Sequence, residues 1–214
     1  MQSKRREVLA GLVTVAGLGL VGCKEREAEV TPGEDLMQEH GLLERVLLIY
    51  DEAAARIEHE QDVDTTVITR SAQLVQRFIE GYHEKSEEKS VFPRLQKAGL
   101  EVELVRTLLE QHDAGRVITS SILSLTRGTP SPELAGALRE FVRMYRPHAA
   151  REETVLFPAF RTIVGRHGYH ELGEQFEDEE HRLFGEHGFE DAVKEVSKLE
   201  AAIGLAELRQ FTPA

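Results

Sequence analysis

The sequence HEKSEEKSVFP at residues 83–93 decides the fold, because it recurs as HAAREETVLFP at residues 148–158. The histidine, the two adjacent glutamates, the phenylalanine and the proline occupy the same places in both copies. In each copy the first glutamate follows the histidine by four residues, so both side chains lie on one face of a helix. The recurrence therefore predicts two equivalent helices, each with one His-Glu pair: His83 with Glu87, and His148 with Glu152.

A further histidine stands ahead of each copy, directly after an acid or an amide. These dipeptides are Glu39-His40 and Gln111-His112. Each half of the chain thus reads as a helix with one histidine, followed by a helix with a His-Glu pair. Two such halves predict a pseudo-symmetric bundle with a site shared between them.

Apolar residues at three- and four-residue steps predict four helices. The composition agrees, since charged residues make up 30% of the chain, aromatic residues only 6%, and Trp is absent. Such a balance favours helices over sheets. Because the connections are short, we expect an all-α, up-down antiparallel four-helix bundle over residues 34–162, with an additional C-terminal helical segment at 163–214.

Proline and glycine mark the predicted helix ends. Thr31-Pro32-Gly33-Glu34 combines an N-cap, a proline at the first helical position and an acid three residues after the cap. Phe92-Pro93 should end the second helix. Gly128-Thr129-Pro130 should break the third helix, and Ser131 should cap the fourth.

The first residues are typical of a secretion signal. Three basic residues at positions 4–6 precede an apolar run from Val8 to Val21, which is shorter than the roughly 20 residues of a membrane span. The run ends in Leu20-Val21-Gly22-Cys23, which resembles the lipobox of bacterial lipoproteins. Cys23 is the only cysteine, so it has no internal disulfide partner.

These features predict a signal peptide at residues 1–22, lipidation of Cys23 and a tether at residues 23–33. A plain membrane anchor or a buried thiol is the alternative for Cys23. Arg5-Arg6 also resembles a twin-arginine signal, although the basic start equally suits the general secretory route. We expect an exported bacterial lipoprotein, anchored to a membrane and facing the periplasm or the cell exterior.

The net charge of −12 argues against nucleic-acid binding, which needs clustered lysine and arginine. The four repeated histidines and two glutamates lie on apolar helix stripes, where burial is costly without charge compensation. A pair of metal ions would supply that compensation, and iron, manganese and zinc all accept imidazole and carboxylate ligands. One such histidine alone would more often be a hydrogen-bonded core residue.

The pattern His40, His83 with Glu87, His112, and His148 with Glu152, together with both Phe-Pro elements, resembles the hemerythrin-like (HHE cation-binding) family. The resemblance covers roughly residues 34–162. It implies an up-down four-helix bundle around two non-haem iron ions with an oxo or hydroxo bridge. In this family the ions bind or react with O2, peroxide or NO. It further implies that the four histidines are terminal ligands and that the two glutamates bridge the ions. Zinc or manganese ions are less expected than iron at this site.

The chain departs from oxygen-carrying hemerythrins, which use five histidines, because only four stand at the motif positions. Open positions on both ions would favour binding or reduction of a small oxidant over oxygen carriage. One of the spare histidines could still serve as a fifth ligand. Glu88 and Glu153 could orient an imidazole, but the sequence favours a solvated helix face or a helix-surface ion pair for both.

The main functional expectation is therefore a di-iron protein that binds or reduces O2, peroxide or NO. No catalytic residue beyond the metal ligands is assigned. Reversible O2 or NO binding, sensing or iron storage without turnover is the alternative. A structural bundle with zinc or no metal is the third possibility. The expected partners are a small diatomic or peroxide ligand and, through the lipid, a membrane.

Overall fold

The computed structural model describes residues 31–213. Within this range every regular element is a helix and no strand occurs, so the prediction of an all-α bundle is confirmed. The predicted signal peptide, Cys23 and residues 23–30 of the predicted tether lie outside the described residues. Among the described helices, none is long and apolar enough to cross a membrane.

Four long helices form the bundle, and two of them contain wider π-helical turns. The second runs without interruption over residues 65–98, and the fourth runs from residue 132 to a sharp bend at Gly165. The α-helices are α1 (Pro32–Glu58), α2 (Thr65–Leu74), α3 (Glu84–Ser86), α4 (Phe92–Ala98), α5 (Val102–Leu125), α6 (Pro132–Arg151), α7 (Phe157–Phe184) and α8 (Gly188–Ile203). The π-helical turns are Val75–His83, Glu87–Val91 and Glu152–Leu156, and a 3-10 turn at Leu208–Phe211 follows α8.

The sequence signals for helix starts act as predicted. The Thr31 side chain accepts from the Glu34 N–H while the Glu34 side chain accepts from the Thr31 N–H, which completes a capping box. At the start of α6 the Ser131 hydroxyl accepts from the Leu134 N–H. These contacts satisfy N–H groups that have no partner inside the helix.

The predicted end of the second helix at Phe92-Pro93 is wrong. The Phe92 N–H donates to the carbonyl of Glu87, five residues back, in the π-helical turn. Pro93 then stands in the first turn of α4, a position that favours the fixed backbone angle of proline. The helix ends only at Ala98, before Gly99, whose φ of 68° is left-handed.

Two apolar cores lie at opposite ends of the bundle, and the repeated histidines separate them. Along α1 the chain passes from one core at Leu36, through His40, to the other core at Leu43. The second bundle helix passes in the opposite direction, from Tyr82 through His83 to Val91. This alternation shows that successive helices run antiparallel and that their polar residues fall in one shared layer.

The C-terminal segment packs on the outside of this bundle. Helix α8 buries Ala192, Val196, Leu199 and Ile203 against α1 and α2. Arg45 on α1 pairs with Glu200 on α8. The apolar spacing in this segment therefore predicts its packing face correctly.

Candidate metal centre

The six side chains singled out by the repeat meet in the polar layer between the two cores. All are buried, with exposed fractions of 3% or less. The Nε2 atoms of His40 and His83 lie 3.1 Å apart. The ring of His112 lies beside that of His148, with 5.1 Å between the ring centroids. The histidines thus form two pairs, one from each half of the chain.

Each glutamate contacts one histidine from each pair. Glu87 Oε2 lies 3.7 Å from His83 Nε2 and 3.5 Å from His112 Nε2. Glu152 Oε2 lies 3.3 Å from His40 Nε2 and 3.1 Å from His148 Nε2. Both carboxylates therefore lie between the pairs, in positions from which they can be shared.

The donor atoms of this layer fit a cation. All four carboxylate oxygens of Glu87 and Glu152, together with His112 Nε2, are buried without a hydrogen-bond partner in the protein. Such orphaned atoms are costly and uncommon in a folded core. Ligand atoms from His40, His83, Glu87 and Glu152 lie within 4.8 Å of one another, as do those from His112, His148 and Glu152. Imidazole and carboxylate together suit iron, manganese or zinc.

The electrostatics of the cluster point the same way. Burial, and then the negative charge of Glu152, raises the pKa of Glu87 well above its usual range. Burial also lowers the pKa of His83 and of His112, which favours the neutral imidazole that binds metals. His40 differs, since its contacts with Glu152 and Glu153 outweigh burial and raise its pKa to about 9. Without a cation, the two carboxylates therefore resist carrying charge together.

Every histidine of the cluster also has an acceptor for its outer nitrogen, so that each Nε2 faces the centre. This arrangement fixes the tautomer and the ring orientation of a ligating histidine. The Nδ1 atoms donate at 3.2 Å from His40 to Glu153, 2.6 Å from His83 to Glu39, 3.1 Å from His112 to Glu88 and 2.9 Å from His148 to Gln111.

Glu88 and Glu153 thus contact histidines, and the favoured expectation of a solvated face or a helix-surface ion pair misses these contacts, although Glu88 also pairs with Lys85 on its own helix. The Glu88 and Glu153 side chains are 19% and 35% exposed, respectively, and each reaches a histidine of the other half of the chain. The residue after each His-Glu pair contacts a histidine of the opposite half because the helices of the two halves pack side by side. Sequence spacing reports only on contacts within one helix, so it cannot show this contact.

Glu39 and Gln111 are functional neighbours that the sequence reasoning left without a role. Each directly precedes a cluster histidine, yet it accepts from the histidine of the following helix. The recurrence of an acid or an amide before His40 and before His112 is the signal that could have revealed them.

A partly buried network beside the cluster holds Glu88 in place. Arg116 pairs with Glu88 and lies 2.6 Å from Glu84 Oε2. The Tyr145 hydroxyl donates to Glu84 Oε1 at 2.7 Å. Burial raises the pKa of Glu84 to about 8. Arg116 thus connects the acceptor of His112 to a buried carboxyl that Tyr145 positions.

Gly115 leaves space for the Tyr145 side chain of this network, so its replacement should destabilise the fold. A Cβ at residue 115 would lie 2.0 Å from the Tyr145 hydroxyl oxygen. We expect Gly115→Ala to lower the free energy of unfolding by about 1–3 kcal/mol, because Tyr145 must move or the helices must separate. The shift of the urea unfolding midpoint measures this loss.

Gly136→Ala is the matched control, because its Cβ would meet nothing within 4 Å in an exposed helical position. This change should raise the free energy of unfolding by about 0.5–1 kcal/mol. Equal effects of the two substitutions would contradict the packing role of Gly115.

The remaining five histidines lie away from the cluster. His59, His167, His170, His181 and His187 are all exposed. None of them shares a metal-binding group with the cluster residues in the part of the chain that the structure describes. The structure therefore supplies no fifth histidine to this layer.

Comparison with known proteins agrees with this geometry. The model of the hemerythrin HHE cation binding domain matches residues 31–160. The chain is 42% identical over 196 residues to uncharacterized protein Mb2018 of Mycobacterium bovis and to uncharacterized protein Rv1995 of Mycobacterium tuberculosis. Each match covers 89% of this chain and 77% of the relative. No solved structure matches the chain significantly.

The family model spans nearly all of the four-helix bundle and all six cluster residues. The buried layer of histidines and glutamates supplies donor atoms suited to a metal cation. The chain belongs to the hemerythrin HHE cation-binding family.

Proposed function

We propose that this protein holds two non-haem iron ions in the polar layer and uses them to bind or reduce a small oxidant. His40 and His83 would ligate one ion, and His112 and His148 the other. Glu87 and Glu152 would be shared between the two ions. The oxidant would be O2, hydrogen peroxide or NO.

One observation carries this proposal: two buried carboxylates without hydrogen bonds lie between two pairs of imidazoles. A single cation would leave one pair without a role. Two cations would give a ligand role to all six residues and relieve the repulsion between the glutamates. Di-iron proteins built on helical bundles use such shared carboxylates.

The number of donors leaves room for a small molecule. Each ion would receive two imidazoles and a share of two carboxylates, and non-haem iron sites with so few protein ligands keep open positions. Because the other described histidines are exposed, no imidazole is at hand to close these positions. Two ferrous ions held by these residues would supply two electrons, the number that reduction of one peroxide to two waters consumes together with two protons.

The chain's own residues orient the ligands and keep bulk water out. The acceptors on the outer nitrogens direct every Nε2 inward. Phe157 stacks on His40 and Phe92 stacks on His112, with centroid distances of 5.6 and 5.5 Å. Both phenylalanines belong to the Phe-Pro elements of the repeat, so the repeat supplies an apolar wall beside each pair.

We further propose that the protein acts outside the cytoplasm, on a membrane. The support is the basic and apolar start of the chain and the lipobox-like sequence that ends at Cys23. Mass spectrometry of the membrane fraction would test for a lipid on Cys23, and Cys23→Ala should release the protein from that fraction.

Oxidant consumption by the iron-loaded chain tests the proposed chemistry. Ferrous protein should consume peroxide or O2 faster than the same concentration of free ferrous iron, and zinc-loaded protein should consume none. Consumption equal to that of free iron would overturn oxidant reduction. A spectral change that appears with O2 or NO and reverses on its removal, without consumption, would assign reversible binding instead.

A further inference from the structure

A second group of acidic side chains meets where α1 packs on α7. Asp35, Glu39 and Glu180 each contribute an oxygen, and these atoms lie within 4.8 Å of one another. Glu39 is buried, whereas Asp35 and Glu180 are half-buried. Three carboxylates from two helices therefore converge at a place that solvent can reach from one side.

Glu39 contacts the His83 imidazole, but the group has no lysine or arginine partner among the described side chains. Among the side chains described in residues 31–213, which do not include that of Arg166, no lysine or arginine forms an ion pair with Asp35, Glu39 or Glu180. Burial and then the charges of Glu180 and Glu177 raise the pKa of Asp35 to about 6. The carboxylates thus repel one another, although the fold holds them together.

The buried member of the group also has an unused oxygen. Glu39 is 1% exposed, and its Oε2 accepts from His83 at 2.6 Å. Its Oε1 has no hydrogen-bond partner. On the other helix, Glu180 Oε1 accepts from the Phe189 N–H at 2.7 Å, which fixes that carboxylate in position. A bound cation would satisfy this buried oxygen, which lies beside two further carboxylates.

We propose that Asp35, Glu39 and Glu180 form a third cation site, which binds one hard divalent cation such as Mn²⁺, Mg²⁺ or Ca²⁺. The donors are carboxylate oxygens alone, without imidazole or thiolate, and this set suits hard cations that keep some water ligands. The site uses none of the six cluster residues, although Glu39 also accepts from His83, so Asp35 and Glu180 are the residues that test it separately from the proposed function.

The cation would tie the C-terminal segment to the bundle. Asp35 and Glu39 belong to α1, whereas Glu180 lies beyond the bend at Gly165 in α7. A cation that binds the folded chain and not the unfolded chain raises the melting temperature. We call the group of Asp35, Glu39 and Glu180 the outer site, and the cluster of four histidines and two glutamates the inner centre. A cation in the outer site should therefore stabilise the protein in addition to any effect of metal in the inner centre.

Titration of the full-length chain with Mn²⁺, followed by the electron paramagnetic resonance signal of free Mn²⁺, tests this site. Wild-type protein should bind one more Mn²⁺ than Asp35→Asn or Glu180→Gln. Each of these variants should also lose the part of the Mn²⁺-dependent rise in melting temperature that the outer site provides. Glu174→Gln removes one charge from an exposed position of the same helix and should behave as wild type.

The inner centre is separated from the outer site with His112→Ala. This variant should lose cluster metal but keep the outer Mn²⁺, so failure of the one site is distinguishable from failure of the other. Equal Mn²⁺ binding by wild type, Asp35→Asn and Glu180→Gln would overturn the proposal. Far-UV circular dichroism verifies that each variant is folded.

Discussion

His148→Ala should empty the cation centre. His148 Nε2 lies 3.1 Å from Glu152 Oε2, and Glu152 is the carboxylate that both groups of candidate ligands share. Loss of a residue that only orients a metal ligand costs about 10–100-fold in affinity, so loss of a direct ligand should exceed this range. We expect iron content to fall from about two ions per chain to near zero, with loss of the visible absorption bands of the iron pair.

His167→Ala is the matched control for this substitution. His167 is 91% exposed and pairs with Glu171, one helical turn away on the same helix. Its replacement should leave metal content and spectrum unchanged. Elemental analysis of both purified variants measures the difference, and full metal content in His148→Ala would show that His148 is a polar core residue rather than a ligand.

Removal of the metal should lower the melting temperature by roughly 10–20 °C. Binding at 100 times the dissociation constant stabilises a protein by about 2.7 kcal/mol per ion. In a protein of this size, each kcal/mol shifts the melting temperature by about 2–4 °C. The physical cause is the layer of four imidazoles and two carboxylates, which is buried between the apolar cores and lacks compensation when the cations are gone.

Melting curves of the full-length chain with and without a strong chelator measure this effect. The His148→Ala variant serves as the control, because it holds little metal in the inner centre. The chelator should therefore lower its melting temperature only by the contribution of the outer site. Identical melting curves for chelated and untreated wild-type protein would mean that the cluster contributes no metal-dependent stability.

The local features of this protein follow from its sequence to a large extent. Apolar spacing predicts the helices, and the Thr31 and Ser131 caps lie where the sequence places them. The recurrence also predicts which six residues share a site, because matched His-Glu pairs on buried helix stripes need a common partner to offset the cost of burial. The error at Phe92-Pro93 has a local cause: a π-helical turn lets the helix continue past a proline, and no propensity rule anticipates that turn.

The tertiary structure alone decided which residues face each other across the bundle. Spacing could place His83 above Glu87, but it could not show that Glu88 reaches His112 or that Glu153 reaches His40. It also could not bring Glu180 to Asp35, since they are far apart in the chain and meet only through packing of α7 on α1. The physical reason is that helical periodicity fixes contacts within one helix, whereas contacts between helices depend on their packing and rotation.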